Sequence, residues 1–201
     1  MSVDLAVESL RAGGVVVVPT DTVYGLATTP FEEAAVQVLY ELKGREARQP
    51  TALVVSDLDA LVSLLPELYA RSEAIVRTLL PGPFTLVVAN PARRFAWLSG
   101  ARDDTIGVRV PVLSGVAREL LDRVIAVAAT SANRPGGVDP ARVADIPDDI
   151  VERAAAVLDA GELPGVPSTV LDFSGDEPRV LREGAAPSEE ALARAAAALR
   201  A

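Results

Sequence analysis

The run Val15-Val16-Val17-Val18 leaves little choice of structure. Consecutive β-branched residues fit a pleated strand and crowd a helix. Because no polar residue alternates with them, the strand they form has to be covered on both faces. Pro19 closes the run at once, so it cannot grow into a membrane span. Apolar runs recur over 52–55, 84–89, 106–110 and 124–129, and the segments between them carry helical apolar spacing. Strands covered on both faces and alternating with helices predict an α/β fold. The expected architecture is a single domain over 1–201 with a twisted mixed β-sheet flanked by helices. Crossover helices favour parallel pairs, whereas the close-set late strands over 157–158, 169–173 and 179–181 suit hairpin-like pairing. Half of the residues are hydrophobic but only 4% are aromatic, so the core is built from Val, Leu, Ile and Ala.

Punctuation in the chain sets the element limits. Helices are expected over 4–12, 30–43, 58–65, 67–80, 114–123, 148–155 and from 188 onward. Thr29-Pro30-Phe31-Glu32 reads as a capping box with proline at the first helical position. Gly44 reads as a helix stop, and Ser188 as an N-cap followed by Glu189 and Glu190. Residues 19–26 are a polar turn region, 90–104 an irregular and candidate mobile loop, and 131–140 a loop containing Gly136-Gly137.

Composition removes whole classes of chemistry. With no cysteine and no histidine, there are no disulfides, no thiol nucleophile, no His-based triad and no His-metal site. Catalysis must then rest on positioning, fixed charge and hydroxyls. A net charge of −9 disfavours a broad nucleic-acid-binding surface, although it leaves room for a small basic pocket. Asp4 and Glu8 stand where a signal peptide carries positive charge, so a cytoplasmic protein is expected. Among the 19 basic residues Lys43 is the single lysine. A compact, rotatable ammonium on the Lys43-Gly44-Arg45 turn could converge with the arginine on phosphate oxygens. Chance survival of one surface lysine is the competing explanation.

Four polar clusters sit at element ends. They are Pro19-Thr20-Asp21-Thr22-Val23-Tyr24-Gly25; Lys43-Gly44-Arg45 continuing to Arg48, Gln49 and Pro50; Thr130-Ser131-Ala132-Asn133; and Ser168-Thr169 with Arg182. In α/β sheets ligands collect where strands end and chain direction reverses. The first cluster could equally be an ordinary turn in which Asp21 and Thr22 bond their own backbone. Arg109 interrupts an apolar strand, where an unpaired guanidinium is costly. It needs either a structural ion pair, the favoured choice on this feature alone, or an anionic ligand.

Taken together, these motifs resemble the YrdC-like threonylcarbamoyl-AMP synthase family. To the clusters above are added Pro81-Gly82-Pro83-Phe84-Thr85-Leu86, Val108-Arg109-Val110-Pro111, Ser168-Thr169-Val170 and Leu181-Arg182-Glu183-Gly184, in the family's order and spacing over about residues 5 to 187. The resemblance implies the single-domain YrdC-like fold. It also implies a nucleotidyltransferase that converts L-threonine, bicarbonate and ATP into L-threonylcarbamoyl-AMP and pyrophosphate. Mg2+ would be held mainly by the ATP phosphates. The product would pass to the tRNA threonylcarbamoyl-transferase complex for modification of adenosine 37, with weak tRNA contact and no membrane. The alternatives are a divergent paralogue acting on another carbamoyl or nucleotide substrate, and an RNA-binding protein of the same fold.

Residue by residue, the resemblance implies an L-threonine site at Thr22, Arg109, Ala129 and Ser168. It implies an ATP site at Lys43, Arg45, Gln49, Thr105, Ser131, Asn133, Asp139 and Arg182, with Lys43 and Arg45 catalytic. No residue is implied to hold a metal directly. Four places differ from the commonest family pattern. Gln49 stands where a lysine or asparagine is frequent, and Val54 where a strand histidine is frequent. Leu113-Ser114 replace a His-Pro pair, and Asp139-Pro140 a Ser-Pro pair.

Overall fold

A computed structural model describes residues 2–44 and 49–200. Nine strands among them form one mixed sheet. In chain order these are β1 (Val16–Val18), β2 (Gly25–Thr28), β3 (Ala52–Val55), β4 (Phe84–Ala89), β5 (Thr105–Arg109), β6 (Ala126–Ser131), β7 (Ala156–Val157), β8 (Thr169–Asp172) and β9 (Arg179–Arg182). Their spatial order is β7-β1-β2-β6-β3-β5-β4-β8-β9. The pairs β1–β7, β3–β5 and β4–β8 are parallel, and the other five are antiparallel. The close-set late strands are therefore only partly hairpin-like: β8 and β9 pair antiparallel, while β7 joins the opposite edge.

Side chains alternate across this sheet and divide the core in two. Val17, Leu26, Leu53, Leu86, Val108 and Leu171 point to one face. That face is covered by α2 (Glu33–Lys43), α3 (Leu58–Leu64), α4 (Ala70–Leu79), α6 (Asp148–Arg153) and α7 (Ser188–Ala198). Val16, Val18, Ala27, Val54 and Val127 point to the other face, beneath α1 (Val3–Arg11) and α5 (Gly115–Val124). Two helices cannot roof the whole of that face. The part over β3, β5, β4 and β8 is left concave and open, and the polar clusters surround it.

Three sequence expectations are corrected. The 30–43 helix begins at Glu33 without a side-chain cap: the chain bends at Pro30 and Phe31, Glu32 is extended, and the Pro30 carbonyl accepts the Trp97 indole N–H at 3.0 Å. The segment 19–26 is not all turn, since Gly25 opens β2 and pairs with Ser131. The 90–104 segment is tied down: Asn90 exchanges hydrogen bonds with the Arg94 backbone, and residues 96–98 form a 3₁₀ turn whose Trp97 packs edge-on against Phe95. Gly44 does stop α2, in the left-handed conformation at φ 66.

Candidate active site

The open sheet face carries a cavity of about 290 Å3 that crosses several strands. Its floor follows the sheet register. In one row Val127 of β6 lies opposite Val54 of β3, which in turn lies beside Arg109 of β5. The next row is Ala129, Ala52 and Gly107. Thr85, Ser168 and Arg182 continue the floor toward β9, and Ser131 bounds it toward β2. The site thus spans a sheet face rather than a crevice at strand ends.

Arg109 is 8% exposed and sits at the centre of a hydrogen-bonded group. Its Nη2 donates to the Asp21 carboxylate and, at 2.8 Å, to Thr22 Oγ1. The Thr22 and Thr20 hydroxyls share a bond of 3.0 Å, and Thr20 shapes the turn by accepting from the Thr22 and Val23 amides. The second Asp21 oxygen accepts the Val112 N–H at 3.2 Å, which joins this turn to the loop before α5. Burial lowers the affinity of Arg109 for its proton; Asp21 opposes this, and the nearby positive charge of Arg182 adds to it. Arg109 Nε is buried and has no hydrogen-bond partner among the described residues.

On the far side, Arg182 donates to the Ser168 carbonyl through Nε at 3.0 Å and Nη2 at 2.8 Å, and to Ser168 Oγ at 3.2 Å. Ser168 Oγ and Thr85 Oγ1 share a 2.8 Å bond. Gly184 makes this packing possible. A Cβ there would lie 2.6 Å from Thr169 N and closer still to the Pro167 carbonyl oxygen.

Lys43 lies behind Ser131, which lines the cavity. The lysine is only 4% exposed, and its Nζ donates to Asn133 Oδ1 at 3.0 Å and Ser131 Oγ at 3.3 Å. Asn133 Nδ2 bonds the Gly137 carbonyl at 2.6 Å and reaches Asp139 at 3.4 Å. Arg134 donates to the α2 carbonyl of Leu42 at 2.8 Å, anchoring this loop on the negative end of the helix. The lone lysine is therefore a buried cation inside a polar cluster, not a surface survivor.

A family model described as "Telomere recombination" matches residues 8–184. The chain belongs to the Sua5/YciO/YrdC family. A protein of Mycobacterium tuberculosis named putative threonylcarbamoyl-AMP synthase is 35% identical over 92% of this chain and 84% of its own length. The threonylcarbamoyl-AMP synthase of Pyrococcus abyssi is 34% identical over 92% of this chain, which spans 55% of that protein. The structure of P. abyssi Sua5 complexed with L-threonine superposes with a TM-score of 0.86 at 32% identity, covering 96% of this chain and 56% of that one. E. coli YciO superposes with a TM-score of 0.82 at 26% identity, covering 93% and 91%.

Most positions that the family motifs single out do converge. Thr22 bonds Arg109 and Ser168 bonds Arg182; both arginines and Ser168 line the cavity, with Ala129 on its floor. Lys43, Asn133 and Asp139 form a hydrogen-bonded cluster with Ser131, which alone of the four lines the cavity. Gln49 is exposed beside Pro50, which lines the cavity. Arg45 and Arg48 lie outside the described residues. Thr105 stands apart from both groups. It starts β5, four residues before Arg109, which puts the two about 13 Å apart along the strand. Its hydroxyl is used locally, donating to the Arg102 carbonyl at 3.0 Å. The Tyr24 hydroxyl lies 2.9 Å from Asp159 Oδ1 and 2.8 Å from the Gly161 carbonyl oxygen, so the phenol braces that loop. Sequence reasoning missed Asp21 and Thr85 as site residues, although both stood inside the quoted motifs.

Proposed function

We propose that this cavity joins L-threonine, bicarbonate and ATP into L-threonylcarbamoyl-AMP and pyrophosphate. The observation that carries this reading is that Arg109, bonded to Thr22, and Arg182, bonded to Ser168 and through it to Thr85, line a cavity that Ser131 also lines, with Lys43 bonded to Ser131. The first group suits an amino acid carboxylate, and the second suits phosphate oxygens. The threonine-bound Sua5 relative supports it.

Threonine enters with its carboxylate toward Arg109 and Arg182, held also by Thr22, Ser168 and the main chain at Ala129. Bicarbonate splits into carbon dioxide and hydroxide; the threonine ammonium gives one proton to that hydroxide, forming water, and the free amine attacks the carbon of carbon dioxide, releasing its second proton to solvent and leaving a carbamate. A carbamate oxygen then attacks the α-phosphorus of ATP, and the bond from that phosphorus to the β-phosphate oxygen breaks. Pyrophosphate leaves with the electron pair. Lys43, with Ser131 and Asn133 orienting its ammonium, neutralises charge on the departing phosphates. Arg45 takes a share of that charge, Gln49 and Asp139 border the nucleotide side, and Arg182 faces both substrates.

The residues around the phosphate end do not build a metal site. They offer an ammonium, neutral oxygens and the single carboxylate of Asp139, and no group of three carboxylates that could hold an ion occurs among the described residues. Mg2+ therefore arrives with ATP as part of the substrate. On this reading the protein is a cytoplasmic nucleotidyltransferase whose product is consumed by a tRNA threonylcarbamoyl-transferase complex, with tRNA contact that is weak at most. No helix among the described residues is long and apolar enough to cross a membrane. Pyrophosphate release measured with each substrate omitted in turn tests the proposal. Release should need L-threonine, bicarbonate and ATP together, and equal release without threonine overturns it.

A further inference from the structure

A second cavity, of about 470 Å3, opens where β3 and β5 end. These strands are parallel neighbours, and the residues that follow them, Ser56 and Val110, both line it. In α/β sheets the crevice outside the carboxyl ends of the strands is where ligands collect. The volume suits a small molecule, for which pockets run from about 300 to 1,000 Å3. Pro111 and Leu113 line both cavities, so the segment 111–113 is the wall between them.

Four charged side chains line this crevice, two of each sign: Asp57, Asp59, Arg77 of α4 and Arg118 of α5. Two of them are held in place. Asp57 caps α3, accepting the Ala60 N–H at 2.7 Å and the Ser56 hydroxyl at 2.9 Å. Arg118 donates through all three nitrogens, to the Asp122 carboxylate and to the Ser56 carbonyl. The other two are open. Among the described residues Arg77 gives only Nε to Glu73, at 2.8 Å, and Asp59 gives only main-chain groups to its neighbours. The ion pair of Arg77 is with Glu73 and not with Asp59, so these two opposite charges share a cavity without meeting. Leu58, Pro81, Val110 and Val112 give the crevice an apolar wall, and Val112 is 63% exposed.

We infer that this crevice binds a small zwitterion with an apolar body, a free apolar amino acid or a short apolar peptide. Its carboxylate takes the terminal nitrogens of Arg77, its ammonium takes Asp59, and its hydrocarbon covers Val112. One open cation and one open anion on the same cavity suit a ligand that carries both charges. A ligand with a single charge leaves one of them unmet, and a lining with two charges of each sign gives it no net attraction. The Arg77–Glu73 pair is no obstacle, because an exposed i,i+4 pair contributes little and uses a nitrogen that the ligand does not need. This inference is independent of the reaction assigned to the first cavity.

The experiment is calorimetric titration of the full chain with L-leucine and with L-leucyl-L-leucine, and with the N-acetylated and C-amidated form of each. At least one of the two zwitterions should bind, and blocking either charged end should weaken it by about fivefold, the upper range for a partly exposed ion pair. Tighter binding of leucine identifies a free amino acid, and tighter binding of the dipeptide a peptide; both uphold the site. Arg77→Ala and Asp59→Ala replace exposed side chains outside the first cavity, so both variants should melt as wild type does. Each should weaken the zwitterion by about fivefold as well. No binding of either zwitterion at millimolar concentration, equal binding of the blocked forms, or binding that neither variant weakens would overturn the assignment.

Discussion

Asp21 and Arg109 meet across the cavity wall, 88 residues apart in sequence, with side chains about one-tenth exposed. The contact gives the buried guanidinium a resident counter-charge. It leaves Arg109 Nε, with no partner among the described residues, and the nearby Arg182 to meet an incoming carboxylate. A pair of this kind is costly to break on one side, because the survivor stays buried and uncompensated. Asp21→Asn should lower stability by about 3 kcal/mol. It should also make stability unusually responsive to L-threonine, whose carboxylate supplies the missing charge. Thermal melts of wild type and variant, with and without threonine, check this; equal threonine-induced shifts would argue against it.

Arg109→Ala removes both roles at once. Threonine affinity should fall by about 2 kcal/mol, the value of a charged hydrogen bond. The melting temperature should fall too, since Asp21 is left alone. ATP affinity should change far less. Titration of each ligand separates these, and parallel loss of both affinities would make Arg109 purely structural.

Lys43 offers a sharper contrast with arginine. Its Nζ lies within bonding distance of Ser131 and Asn133 in a nearly closed space. A planar fork of five donors cannot occupy the position of a point charge there. Lys43→Arg should lose at least about tenfold in rate. Burial also implies some loss of stability, which the sequence alone did not suggest. Full activity in the variant would reduce the lone lysine to coincidence.

Gly184 supports the arginine end without touching substrate. Its Cα packs against the backbone of residues 167–169, where any side chain collides. Gly184→Ala should shift Ser168 and Arg182 together, raising KM for threonine and lowering the melting temperature. Unchanged threonine kinetics would disconnect this turn from the site.

Asp172 sets a pH dependence away from the chemistry. Burial raises its pKa, but hydrogen bonds from Ser174 and the nearby Arg102 outweigh that, so the net shift is downward. A depressed carboxylate pKa contributes stability that is present above the unfolded value and lost as pH falls through the folded one. Asp172→Asn should therefore lower stability at neutral pH and flatten its decline below about pH 4. An acid limb identical to wild type would contradict the assignment.

Much of the fold was legible in sequence because it rests on local signals. Valines 15–18 predicted a strand buried on both faces, and residues 16–18 form one. Gly44 predicted a helix stop with a left-handed residue. The failures are places where distant contacts override local ones. The capping box at Thr29 yields to the packing of Phe31 and Pro30 against Phe95 and Trp97. Gly25 reads as a turn residue until β6 arrives beside it. In the site, motif order marked Arg109, Ser168, Ser131 and Lys43. Motif order could not reveal that Asp21 would neutralise Arg109, since ion-pair partners are set by the sheet order.

The most direct test of the account is the identity of the product. The purified chain is incubated with L-threonine, ATP, Mg2+ and carbon-13 bicarbonate, and the nucleotides are resolved by mass spectrometry. The account predicts an AMP adduct carrying both the threonine mass and the bicarbonate label, formed in equal amount with pyrophosphate. An unlabelled threonyl-AMP, or AMP and pyrophosphate with no adduct under conditions that preserve the mixed anhydride, would contradict it.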